Sequence, residues 1–190
     1  IRAEAAGLPR WGVMSAIDAA FGEIAAVHRL LSRQERGTDY VRLTEAEVGD
    51  VIKVDVRTAE VLRLALDLRS ESAGAFDPER RAHRKPGAIA HDPRPAWSLE
   101  DGRMVRIRRR ASVDLDGIAK GYAVDRAIDG LRSNGVEATV NAGGDLRTTR
   151  ECSEPLFVRC DTVRGGLVSL GRLGIGAFAS SQSRIRSGLD

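Results

Sequence analysis

Residues 113–125, VDLDGIAKGYAVD, concentrate the residue types needed to hold a charged ligand. A short apolar run delivers a carboxylate, Asp114, and the chain then turns through Asp116 and Gly117. A helix follows, with Lys120 in its first turn. The start of a helix offers unpaired N–H groups and the positive end of its dipole, which together suit a phosphate. Lys120 adds a full charge there, and Gly117 and Gly121 let a ligand or a neighbouring backbone come close. Basic side chains normally avoid a first helical turn. An exception is expected where an anion binds, although a plain strand–turn–helix with a solvated lysine would carry the same letters. The stretch is neither a Walker loop nor a GxGxxG fingerprint.

The identity of the base is informative. The chain has 27 arginines and only three lysines, Lys53, Lys85 and Lys120, so a compact point charge at position 120 stands out. Two other segments share the chemistry. Asn141-Ala142-Gly143-Gly144-Asp145 ends an apolar run with paired glycines, which expose backbone N–H groups or simply make a hairpin turn. Ala75-Phe76-Asp77-Pro78 sets one of only eight aromatic residues beside a carboxylate. His28 has no histidine or cysteine neighbour and reads as a core-edge residue. Cys152 and Cys160 are too few for a tetrahedral metal site.

The elements that must position these groups follow from periodicity. Residues 11–33 predict an amphipathic helix with Met14, Ile17, Phe21, Ile24, His28 and Leu31 on one stripe. A polar turn and a short segment at 40–44 follow. A second helix is predicted over 58–69, with Val61, Leu62, Ala65 and Leu68 facing inward and Thr58 as N-cap. Ser72-Ala73-Gly74 reads as a chain reversal. Residues 78–102 hold four of the six prolines and show no period, which predicts a mobile loop. Residues 103–109 alternate as a half-exposed strand. A third helix carries Ile118, Tyr122, Asp125, Ile128 and Leu131 along one side and stops at Asn134-Gly135. Further strands are predicted at 137–141, 156–160 and 173–179. The pattern is α+β, with mixed or antiparallel sheets packed with about three helices, rather than a doubly wound sheet.

Composition sets the outer limits. At 190 residues, 42% hydrophobic and 30% charged, the chain can bury a core as a single domain spanning 1–190 and is not a disordered or disulfide-dense chain. No run approaches the ~18 apolar residues of a transmembrane helix. The net charge of +3 is mild. Residues 80–110 are rich in arginine, but Trp97 is the only aromatic among them, so a solvated basic face is expected rather than a nucleic-acid surface.

Taken in order, SAGAFDP, DLDGIAKGYAVD and NAGGD resemble the motif series of the FAD:protein FMN transferase (ApbE) family. The middle motif matches at nearly every position. The resemblance extends upstream to LSRQERGTDYVRLT and downstream to Ala179-Ser180-Ser181, and so covers most of the chain. It implies an α+β enzyme that uses FAD and Mg²⁺, moving FMN to a threonine hydroxyl of a target protein and releasing AMP. It implies that Ala75, Phe76 and Asp77 line the FAD site, that Asp114 and Lys120 contact the nucleotide, and that the main-chain oxygen of Gly117 binds the metal. Gln34 stands where the family has a stacking aromatic, Thr44 where it has an asparagine, Glu79 where it has a threonine and Asp116 where it has a glycine. The chain starts at Ile1 and ends at Asp190, before the family's His- and Asp-Pro-containing motif, so the resemblance implies truncation at both ends and catalytic groups beyond Asp190. A non-catalytic or hydrolytic FAD-binding relative is the alternative. The resemblance leans towards a periplasmic or cell-envelope location, with a cytoplasmic one as the alternative.

Overall fold

The computed structural model describes residues 1–80, 94–110, 112–150, 154–159 and 166–180. They form two compact units, residues 24–123 and residues 1–23 with 124–190. The fold is α+β, with every strand pair antiparallel. Among the described residues there are four helices: α1 (Arg10–Leu31), α2 (Asp39–Glu45), α3 (Val56–Glu71) and α4 (Ala119–Ser133). The expected three are joined by α2, which forms from the short segment at 40–44. Its signal is a cap: the Thr38 hydroxyl accepts from the Val41 N–H at 3.1 Å.

In the unit of residues 24–123, β2 (Val51–Lys53), β5 (Met104–Ile107) and β4 (Trp97–Glu100) make a three-stranded sheet in the order β2-β5-β4. A two-residue ladder joins β3 (Glu79–Arg80) to β6 (Ser112–Val113). The core gathers Val27, Leu43, Leu62, Trp97, Val105 and Ile107. Helix α3 buries Val61, Leu62 and Ala65 as its spacing predicts, but Leu68 is exposed and Arg69 is buried instead. Its N-cap is Asp55, whose carboxylate accepts from the Arg57 N–H at 2.9 Å. The predicted cap, Thr58, lies one turn inside and donates its hydroxyl to Asp39 Oδ2 at 2.8 Å.

The proline-rich span 78–102 is not one loop. Residues 81–93 lie outside the described residues, and its two flanks are strands β3 and β4.

In the other unit, β1 (Arg2–Glu4), β7 (Glu137–Ala142), β8 (Asp145–Thr148) and β11 (Gly176–Phe178) form a sheet in the order β1-β7-β8-β11. Strand β9 (Glu154–Arg159) pairs with β10 (Leu167–Leu173), which bulges between Ser169 and Gly171. The single strand predicted at 173–179 is thus the end of β10, a break at Gly174-Ile175, and β11. Gly135, with φ of +71°, stops α4 as expected.

The stripe predicted for α1 is displaced. Met14 and Phe21 are exposed, while Ala16, Ala20 and Val27 are buried. His28 is also exposed, 3.5 Å from Glu35 Oε1, rather than at the edge of a core.

Candidate functional site

All six positions singled out for ligand or metal binding fall in the unit of residues 24–123, and the β3–β6 ladder brings their two segments together. Glu79 pairs with Val113, and the Asp114 N–H extends the contact by donating to the Pro78 carbonyl at 2.7 Å. Ala75, Phe76 and Asp77 therefore run beside the 114–117 turn.

Local chemistry shapes each side. After α3, Ala73 (φ +50°) and Gly74 (φ +84°) both take left-handed backbone, and the Gly74 N–H donates to the Arg69 carbonyl at 2.9 Å. The Ser72 hydroxyl then accepts from the Phe76 N–H at 3.0 Å, fixing where the aromatic leaves the chain. The Phe76 ring lies flush on the turn: a Cβ at Gly117 would meet its Cε2 at 3.2 Å. A larger residue at 117 would need the ring to give way by a few tenths of an ångström. Asp77 accepts from the Glu79 N–H at 3.2 Å, an Asx-type turn at the start of β3.

On the other side, Asp114 leaves β6 half-buried. Its Oδ1 accepts from the Asp116 N–H at 3.2 Å and from Arg33 Nη2 at 2.8 Å. Arg33 Nη2 also lies 3.0 Å from Asp116 Oδ2, and its guanidinium stacks 5.3 Å from the centre of the Tyr40 ring. Helix α4 begins at Ala119, so Lys120 is in its first turn, as predicted, and exposed. The Tyr122 hydroxyl, one turn further in, donates to Glu60.

Sequence reasoning missed two groups here. One is Arg33, whose carboxylate partners Asp114 and Asp116 lie 81 residues or more further along the chain, with no local signal to announce them. The other is Glu79, which replaces the family's threonine. Its side chain is 2% exposed and meets Arg69 Nη1 at 3.0 Å, Arg109 Nη2 and, at 2.7 Å, the Ala96 N–H. Glu79 thus ties β3 to α3 and to the start of β4. Two other departures from the family pattern also find places: Gln34 is exposed, and the Thr44 hydroxyl donates to the Tyr40 carbonyl at 2.9 Å within α2.

The metal expected at Gly117 is not supported by a donor set. No group of three or more His, Cys, Asp or Glu side chains able to hold a metal exists among the described residues. Gly117 can offer one main-chain oxygen, and the adjacent carboxylates of Asp114 and Asp116 are both engaged by Arg33. These residues alone do not fit a Mg²⁺ site, whose hard ion takes about six oxygen ligands in near-octahedral array.

Asn141 to Asp145 belongs to the other unit and forms the β7–β8 hairpin turn. Gly143 and Gly144 have φ of +65° and +107°, and the Gly144 N–H donates to Asn141 Oδ1 at 3.2 Å. Ser180 sits over this turn, its Oγ 2.7 Å from where a Cβ at Gly144 would stand.

A strand-end carboxylate, a glycine turn covered by an aromatic, and a lysine at a helix start thus lie close along the chain in one α+β unit. The sequence model of the ApbE family matches residues 2–156, and the chain belongs to that family. Solved structures agree on the fold. The ApbE protein of Thermotoga maritima is 21% identical with a TM-score of 0.71, over 92% of this chain and 63% of its own. The flavin transferase ApbE of Vibrio cholerae is 20% identical with a TM-score of 0.72, over 98% and 68%. For the flavinyl transferase ApbE of Pseudomonas stutzeri, in its apo form, the values are 20%, 0.64, 83% and 58%. The chain thus spans about three fifths to two thirds of the length of these structures. No curated protein matches. No helix among the described residues is long and apolar enough to cross a membrane.

Proposed function

We propose that this chain carries the nucleotide-binding part of a flavin transferase that moves FMN from FAD to a threonine hydroxyl of a target protein, with release of AMP. The observation that carries the reading is the β3–β6 ladder, which sets Phe76 and Asp77 beside the turn from Asp114 to Gly117, one residue short of helix α4, which begins at Ala119 and carries Lys120 in its first turn. Membership of the ApbE family supports it.

In this reading, the threonine hydroxyl oxygen attacks the phosphorus of the FMN half of FAD and gives up its proton to water, the bond to the bridging oxygen breaks, and AMP leaves carrying that oxygen and its electron pair. The chain's residues bind and orient. Lys120 and the first N–H groups of α4 hold the pyrophosphate and meet the charge that develops on its oxygens. Asp114 accepts hydrogen bonds from the nucleotide, and the Phe76 ring with the Gly117 backbone beneath it forms an apolar wall. The family resemblance adds dependence on Mg²⁺ to this proposal, with the main-chain oxygen of Gly117 as one ligand. The same holds for a periplasmic or cell-envelope location.

A second reading, a flavin carrier without transfer, is favoured by exposed Gln34 and by Thr44 turned to its own helix. Incubating the full-length protein with FAD and Mg²⁺, with and without a threonine-bearing target, separates them. Transfer predicts AMP release and FMN covalently on the target. The carrier predicts FAD binding with neither, and absence of FAD binding removes both.

A further inference from the structure

The turn between β6 and α4 carries two carboxylates, Asp114 and Asp116, at the place read as an anion site. Like charges this close repel each other, and each repels a phosphate. One side chain answers both. Arg33 Nη2 lies 2.8 Å from Asp114 Oδ1 and 3.0 Å from Asp116 Oδ2. Tyr40, beneath the guanidinium, is buried, which gives the fork a fixed footing. The side chains are graded in exposure: Asp114 22%, Arg33 30% and Asp116 68%. Water reaches the cluster, so a ligand can reach it too, and pairs this exposed contribute little to fold stability.

We propose that Arg33 is a positioning residue of the nucleotide site: it cancels the charge of Asp116 and fixes the rotamer of Asp114, so that the turn accepts a dinucleotide pyrophosphate. This inference rests on the reading of the chain as an FAD-using transferase. The direction of the effect follows from the charges. With Arg33 in place, the two carboxylates are opposed by Arg33 and by Lys120 in the next helix. Without it, they outnumber Lys120, and Asp116 faces the incoming phosphates uncompensated. The cost of losing Arg33 therefore depends on whether Asp116 is still charged.

That dependence supplies the test. The full-length protein and its variants are titrated with FAD by calorimetry, and the Tm of each is measured. Arg33→Met is expected to weaken FAD binding about tenfold, the size of one charge-assisted hydrogen bond. Its Tm should fall by no more than about 4 °C. Adding Asp116→Asn to Arg33→Met is expected to recover most of the tenfold, and Asp116→Asn alone to bind FAD at least as tightly as the parent. A purely structural role for Arg33 predicts no recovery from removing a second charge. Should Arg33→Met not fold, Arg33→Gln, which keeps hydrogen bonds without charge, is read in the same way. Unchanged affinity on loss of Arg33, or no recovery in the double variant, overturns the inference. The transferase reading then still stands if the parent binds FAD and Asp114→Ala does not. A parent that fails to bind FAD overturns both.

Discussion

Two carboxylate–arginine clusters flank the β3–β6 ladder, built from the same chemistry and put to opposite uses. At Glu79, the carboxylate and Arg69 are 2% and 7% exposed, Arg109 reaches in from a 28% exposed position, and a backbone N–H from Ala96 completes the set. At Asp114, water reaches every member. A buried pair that loses one partner leaves an uncompensated charge in low dielectric, whereas a wet pair can exchange protein partners for water or a ligand at little cost. Burial, more than residue type, separates the cluster that holds the fold from the one that can serve a substrate.

The sharpest way to break this comparison is to remove one acid from each cluster. Glu79→Ala should destabilise the protein by about 3–5 kcal/mol, because Arg69 is left buried without its closest acid. For a chain of this size, that lowers Tm by roughly 6–20 °C, measurable by thermal melt. A loss under about 1 kcal/mol would place Glu79 with the wet cluster. Asp114→Ala should do the reverse: flavin transfer falls at least about a hundredfold, while Tm moves by no more than about 4 °C. Parent-like transfer and FAD affinity in this variant would remove Asp114 from the site.

Lys120 sharpens the contrast from the helix side. Lys120→Met should weaken FAD binding by about ten- to a hundredfold, and Lys120→Arg should restore only part, since guanidinium is larger and differently directed. A lysine serving only as surface charge at a positive helix end predicts unchanged FAD binding, and its loss would leave Tm unchanged or slightly raised.

The smallest effect belongs to a third pair, which is exposed throughout. Arg106 donates to Glu100 at 2.6 Å across β4 and β5, and this hydrogen bond holds the Glu100 carboxyl below its usual value of 4.5. A carboxylate lowered on folding adds stability above its unfolded pKa and loses it as pH falls through the folded value. Glu100→Gln should therefore lower Tm slightly at pH 7 and by less at pH 3. The difference should shrink in 1 M salt. Melts at the two pH values check it, and a larger deficit at pH 3 would reverse the assignment.

What could be read from the sequence follows the range of the interactions. The core face of α3 at Val61, Leu62 and Ala65, though not at Leu68, the stop at Gly135 and the strand–turn–helix around Asp114 are set by near neighbours and are found where expected. The face of α1 was misread because alanines, Ala16 and Ala20, line its buried side, while larger apolar residues such as Met14 and Phe21 lie outside. Spacing alone favours the bulkier stripe. Thr58 has the letter of an N-cap, but Asp39, distant in sequence, takes its hydroxyl. Glu79 and Trp97 lie in a span whose prolines suggest a loop, and their burial comes from elements on either side. Arg33 is the extreme case, one of 27 arginines and distinguished only by where the chain brings it.

The β3–β6 ladder also orders events in time. It is two residues long on each strand, yet it joins segments that are far apart along the chain. Arg33 must find Asp114 across 81 residues. Closing such long loops costs chain entropy before any contact repays it, so non-local pairings form late. Helix α3 can form from its own sequence, whereas the turn from Asp114 to Gly117 has no Phe76 wall and no Arg33 until the sheet between them has closed. The proposed nucleotide site is therefore expected to be among the last parts of this unit to form as it folds, so that FAD binding, if the proposal holds, would report completed folding as well as chemistry.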